Sequence, residues 1–192
     1  MTKGPADAAP LVIVLSGPSG AGKDTLLRAA LAADSRLSTV VTAKTRPPRS
    51  GEEHGVQHLF VSDADFDALI AAGELLEHAE MYGHRSGVPR EQVRQRLAEG
   101  KTVVLRTDVQ GARRLRERVP GAVLVFVTVP DRGTLERRLR GRASDSEADL
   151  QTRLAAASAE MEQAALFDHV IINREGREAE ALAELLTIIN EE

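Results

Sequence analysis

The chain has 192 residues, with 25 Lys+Arg against 29 Asp+Glu and a formal net charge of −4. It has no Cys, and its aromatics are four Phe and one Tyr. These values exclude a disulfide scaffold and a thiolate metal site, and the mild acidity argues against a nucleic-acid partner. At roughly 150 residues per domain, the length predicts one domain whose core needs no covalent staple. No apolar run reaches the ~18 residues of a membrane span, so no membrane partner is expected. Residues 1–10, MTKGPADAAP, lack an apolar signal core and read as a disordered leader. A cytoplasmic protein is expected.

Leu11 to Leu15, LVIVL, is short, β-branched and followed by Gly-Pro-Ser-Gly, which predicts a buried strand ending in a tight loop. A helix is expected over 24–33, with Leu26, Leu27, Ala30 and Leu31 on one face. Residues 38–42 suggest a short strand. Residues 45–55, TRPPRSGEEHG, are too rich in Pro and Gly for a regular element. A strand over 58–61 leads to Ser62, a helix N-cap with Asp65 three residues on. Residues 74–80 suggest another strand. Helices are expected over 89–98, 112–118, 131–140, 146–166 and 178–189. Between them 102–107, 122–129 and 169–172 read as strands, and AVLVFVTV at 122–129 is apolar on both faces. The alternation predicts an α/β domain with a mostly parallel sheet flanked by helices. Residues 43 to 90 break that rhythm and read as an inserted subdomain.

Gly17-Pro18-Ser19-Gly20-Ala21-Gly22-Lys23 fits the phosphate-loop pattern G-x-x-x-x-G-K, placed between a strand and a helix as the motif requires. Its backbone N–H groups and the helix N-terminus suit an anion, and Lys23 is placed to reach the β- and γ-phosphates of ATP. The Ser or Thr that usually follows is Asp24, with Thr25 next, so Asp24 or Thr25 is the candidate magnesium ligand. Arg46 and Arg49 flank a rigid Pro-Pro and can converge on one phosphate. Glu77 and Asp108 are carboxylates that can accept from guanine N1–H and its 2-amino group, which adenine does not offer. Taken alone, each also fits a strand-edge surface acid. Arg137 and Arg138 read as part of a charged helix face.

These residues together resemble guanylate kinase over about residues 11 to 190. The resemblance rests on GPSGAGK at 17–23, TRPPRSGE at 45–52, HLFVS at 58–62, AAGELLEHAE at 71–80, DVQGA at 108–112 and RRLRGRASDSE at 137–147. It implies a P-loop kinase fold with a core over 11–41 and 95–192, a small GMP-binding α+β subdomain over 42–94, and a mobile lid over 138–150. It implies transfer of a phosphoryl group from ATP to GMP or dGMP, with Mg²⁺. ATP would lie on Gly17, Ser19, Gly20, Ala21, Gly22, Lys23, Asp24 and Thr25, with Asn173 lining the adenine pocket. The GMP phosphate would be held by Arg46, Arg49, His58 and Ser86, and the base by Glu77 and Asp108, with Thr42 nearby. Lys23, Arg46 and the lid arginines Arg142 and Arg153 would stabilise the transferred charge. A monomer or homodimer is expected.

Four positions depart from the family pattern. Two acceptor-phosphate tyrosines are His58 and Ser86, a guanine-contacting Ser or Thr is Val88, and an acid two residues before Asp108 is Arg106. They leave open a different phosphorylated acceptor, such as a modified nucleoside monophosphate or a ribose bisphosphate, or a weakly active GMP-binding module.

Overall fold

A computed structural model describes residues 10–81, 83–140 and 147–192. The main sheet has β1 (Val12–Ser16) at its centre, between β7 (Thr102–Arg106) and β8 (Val123–Thr128). Strand β2 (Leu37–Ser38) pairs with β7, and β9 (His169–Ile172) pairs with β8. All four pairings are parallel. Strand β1 is buried along its whole length because both of its faces are covered. Ile13 and Leu15 point into one core layer, with Val104, Val125 and Ile171, against α1 (Lys23–Ala33) and α7 (Glu178–Glu191). Val12 and Val14 point into the other, with Leu105 and Phe126, against α3 (Arg90–Ala98) and α4 (Val109–Arg118).

The inserted segment forms a second sheet, in the order β4 (His58–Phe60), β3 (Thr42–Lys44), β6 (His84–Pro89), β5 (Leu75–Met81). Strands β3 and β4 run parallel, and the other pairs are antiparallel. Helix α2 (Asp63–Ala71) covers this sheet by burying Phe66 against Ala43 and Leu75. Ser62 caps α2 in a full capping box with Asp65. This sheet ends at Pro89. Helix α3 buries Val93 in a cluster that joins Leu76 and Val88 of this sheet to Leu105 of the main sheet.

Several elements differ from the sequence reading. Segment 38–42 is not one strand: β2 and β3 lie on either side of it, in different sheets. Strand β6, HRSGVP, carries no apolar alternation, and its pairing with β3 and β5 makes it a strand. Helix α4 starts three residues early because Asp108 caps it. The expected 146–166 helix divides into α6 (Glu147–Met161) and a 3₁₀ turn, Ala164–Leu166. Helix α5 (Arg132–Arg140) packs Leu135 and Leu139 against Leu154 and Ala157 of α6. Among the described residues, no helix is long and apolar enough to cross a membrane.

Candidate active site

The carboxyl ends of β1, β7 and β9 lead directly into the phosphate loop, Asp108 and Asn173, the edge where open parallel sheets bind ligands. The loop turns through positive φ at Gly17, Gly20 and Gly22. Helix α1 begins on Gly22 with no side-chain cap, so its first N–H groups are left for an anion. Lys23 Nζ donates to the carbonyls of Gly17 at 2.5 Å and Pro18 at 2.8 Å, folding over the loop. Gly17, at φ 128°, leaves no room for a side chain, since a Cβ would lie 2.1 Å from the Val127 carbonyl oxygen. Gly17→Ala is expected to lower the unfolding free energy by about 2–4 kcal/mol, from the disfavoured φ and the backbone overlap. Chemical denaturation checks this, and an unchanged midpoint contradicts it.

The loop is braced from two sides. Asn173, 5% exposed, donates from Nδ2 to the Ala21 carbonyl at 2.8 Å. Arg138 reaches the same carbonyl at 3.3 Å and the Asn173 carbonyl at 3.2 Å. Arg138 therefore supports the phosphate loop and is not part of a solvated helix face. Arg137 does stay on its own helix, bonded to Thr134. Glu160 of α6, which the sequence reading did not single out, lies near Lys23 and the Ser19 backbone N–H. Burial pushes its carboxyl above the usual range, and Lys23 opposes that shift.

The second sheet gathers the acceptor-phosphate candidates. Arg46, 9% exposed, is held bidentately by Glu52 at 2.6 and 2.7 Å and lies over the Phe60 ring. Glu52 also accepts from the Arg49 backbone N–H. The Arg46 contact holds the Glu52 carboxyl down at about 2. Thr42 Oγ1 and His58 Nδ1 lie 2.9 Å apart, in a hydrogen bond whose direction depends on the ring tautomer. Lys44, two residues along β3 from Thr42, is pushed below the usual lysine value, first by burial and then by Arg46 and Arg106. The sequence reading had not selected Lys44. Its signal was the Lys between Thr42 and Arg46. Ser86 is half-buried on β6, paired with Lys44 and Ala79. Arg85 pairs with Asp67 at 2.5 Å and lies over the Phe66 ring.

Burial and the Lys44 charge push His58 down to about 4, so its ring is neutral at pH 7. A neutral ring at position 58 is a hydrogen-bonding group that adds no cation. An NMR titration of His58 is expected to show a midpoint near 4, rising when a phosphate ester binds and the added anion favours the imidazolium. A midpoint near 6.5 in the free protein contradicts this environment.

The base-reading candidates come together across β5 and α4. Glu77 is 3% exposed, and Arg114 Nη2 donates to its Oε1. Asp108 caps α4 by accepting from the Gly111 N–H at 2.6 Å, which uses one of its oxygens. Gly111 is needed here because a Cβ would lie 2.0 Å from Thr107 Oγ1 and 3.0 Å from the Glu77 carboxyl. Asp108 and Arg114 line a cavity of ≈ 520 Å³, with His78, Glu80, Arg85 and Gln110. Val88, 3% exposed, is packed beside Glu77 in the β5–β6 ladder and offers no polar contact.

Asp24 and Arg106 form an ion pair at 2.6 Å. The reversed charge at position 106 is thus matched by an acid at position 24. Among the described residues, no three acids or histidines gather as a metal cage. Asp24 remains a hard oxygen donor at the mouth of the phosphate loop, which suits magnesium bound mainly by nucleotide phosphates. Thr25 is exposed on the same helical turn. Arg153 is half-buried on α6 and engaged with a partner. Arg142 and residues 141–146 of the expected lid lie outside the described residues.

A family model described as guanylate kinase matches residues 10–192. Guanylate kinase from Streptomyces coelicolor is 45% identical over 97% of this chain and 93% of its own. That from Thermosynechococcus vestitus is 48% identical over 84% of this chain and 85% of its own. The crystal structure of guanylate kinase from Anaplasma phagocytophilum superposes with a TM-score of 0.75 at 27% identity, covering 96% of this chain and 87% of that one. With the phosphate loop, the buried Glu77 and the inserted sheet in place, the chain belongs to the guanylate kinase family of P-loop nucleoside monophosphate kinases.

Proposed function

We propose that the chain transfers the γ-phosphoryl group of ATP to the phosphate of GMP or dGMP, giving ADP and GDP. The observation that carries this reading is the buried Glu77 carboxylate of the inserted sheet brought near Asp108, which follows β7 at the main-sheet edge that also carries the phosphate loop. A buried Glu77 with a half-buried Asp108 suits the N1–H and 2-amino donors of guanine, and the buried acceptor is left unpaired by adenine.

The phosphate oxygen of GMP is already an anionic nucleophile, so no general base is required. It forms the new P–O bond while the bond from the γ-phosphorus to the β-bridging oxygen breaks and ADP leaves. The protein's part is positioning and charge neutralisation. The loop N–H groups and Lys23 hold the donor phosphates. Arg46 exchanges Glu52 for the acceptor phosphate, joined by Arg49, with Thr42, His58 and Ser86 as neutral partners. Arg142 and Arg153 are the proposed lid cations over the transferred group. Magnesium, when bound, supplies further neutralisation of the phosphates, with Asp24 or Thr25 as the residue that would hold it.

A second acceptor class, a ribose bisphosphate, draws its support from the neighbouring cations Lys44 and Arg106. We read the chain as a cytoplasmic monomer or homodimer that uses neither nucleic acid nor membrane. Calorimetric titration tests the acceptor: GMP is expected to bind at least tenfold more tightly than AMP or a ribose bisphosphate. The reverse order contradicts the guanine reading and favours the second.

A further inference from the structure

Glu77 is an expensive residue to bury. Its side chain is 4% exposed, and it shares its surroundings with a second acid, Asp108. A lone carboxyl in such a place takes up a proton. A protonated Glu77 would present a donor where guanine also presents donors. Some cation must therefore keep the base reader ionised, and the motif residues considered above place none beside it.

Helix α4 provides it. Arg114 donates from Nη2 to Glu77 Oε1, and one turn further Arg118 Nη1 bonds the Leu76 carbonyl at 2.8 Å. Two arginines on one helix face thus grip consecutive residues of β5. Gly111, one turn before Arg114, removes the side chain that would otherwise push the carboxyl away. The charged groups facing Glu77 are Arg114 and Asp108 from α4 and His78 from its own strand. Burial raises the Glu77 carboxyl most, Arg114 lowers it through both its hydrogen bond and its charge, Asp108 raises it, and His78 lowers it.

We propose that Arg114 is a positioning residue for base recognition: it holds one oxygen of Glu77, so that the carboxylate stays charged and its other oxygen faces the two N–H groups of guanine. This rests on the guanine reading above. Arg114 makes selection of the base dependent on a residue that lies outside the family motifs quoted from the sequence. Without it, burial and Asp108 act on Glu77 with only His78 against them. The folded-state carboxyl then titrates at higher pH, and base affinity is lost sooner as pH falls.

The test compares wild type, R114Q and R114K by steady-state kinetics from pH 6 to pH 9, with GMP and ATP varied separately. Titration of the GMP phosphate is common to all three and cancels in the comparison. R114Q is expected to raise KM for GMP about tenfold or more near pH 6.5, the scale of a lost hydrogen bond to a charged group. The increase should shrink toward pH 9, with kcat and KM for ATP within about threefold. R114K is expected to lie between the two, because it restores the charge without the fork. A KM for GMP within twofold of wild type at every pH overturns the proposal. So does an equal, pH-independent rise in both KM values. Should R114Q fail to fold, R114K decides: a KM for GMP two- to fivefold above wild type supports the proposal, and superimposable profiles overturn it. A wild-type chain without GMP turnover overturns the guanine reading beneath it, and the proposal falls with it. Normal wild-type turnover with a flat R114Q profile overturns the proposal alone.

Discussion

Lys23→Ala is expected to lower kcat for GMP-dependent ADP formation by about a thousandfold or more. The ammonium is placed by the first turn of α1 and already lies against the loop that receives the phosphates, bonded to the Gly17 and Pro18 carbonyls. A preorganised charge acting on the transferred group contributes about 10²–10⁵ in rate in comparable sites. Alanine leaves the loop N–H groups and the uncapped helix end in place, so nucleotide binding should weaken far less than turnover. Single-turnover kinetics beside ADP titration separates the two. A kcat within tenfold of wild type would remove Lys23 from the chemistry.

Glu77→Gln is expected to raise KM for GMP by about a hundredfold, while KM for ATP stays within about threefold. The amide is nearly the same size, so packing is preserved against Val88 and Gly111. It replaces an acceptor with a group that offers an N–H toward the N–H groups of guanine. A site built for hydrogen bonds discriminates strongly when one partner is reversed, because the buried group is left unpaired. Arg114 then faces an amide in place of a carboxylate. Equal rises in both KM values would mean that Glu77 supports the fold and does not read the base.

The phosphate loop was legible because its signal is contiguous: a β-branched strand, three glycines, a lysine and a helix follow one another without a gap. The main sheet was legible for the same reason, since two-sided burial writes apolar runs such as residues 122–129. Strand β6 was not legible. HRSGVP has neither alternation nor a β-branched run, and its pairing with the adjacent β5 and the distant β3 gives it its strand form. The site followed the same division. Motif residues Arg46, Glu77 and Asp108 were found, but their partners were not. Arg114 looks like any basic residue on a basic helix until Glu77 is brought beside it from 37 residues away. Arg106 looked like a lost acid, and only the fold shows Asp24 paired with it. Glu160 sits in an Ala-rich helix with no motif around it, and its place near Lys23 is purely tertiary. Asn173 was found by motif, and its place is against the Ala21 carbonyl, as a brace of the loop.

The departures at 58, 86, 88 and 106 share one trend. Two phenols and a small hydroxyl give way to a neutral His, a shorter Ser and an apolar Val, while positive charge enters at Arg106 beside Lys44. The scarcity of aromatics in the composition is therefore partly a feature of the acceptor-phosphate site. At the base site Val88 is the departure, while Glu77 and Asp108 are both present. The account accordingly predicts that the base, more than the phosphate contacts, selects the acceptor.

The most direct test is ADP release measured with ATP and Mg²⁺ across GMP, dGMP, AMP, CMP, UMP and a ribose bisphosphate, with kcat/KM compared for each. The account predicts GMP first, dGMP close to it, and every other acceptor at least a hundredfold lower. A ribose bisphosphate or another nucleotide turned over as well as GMP would contradict it.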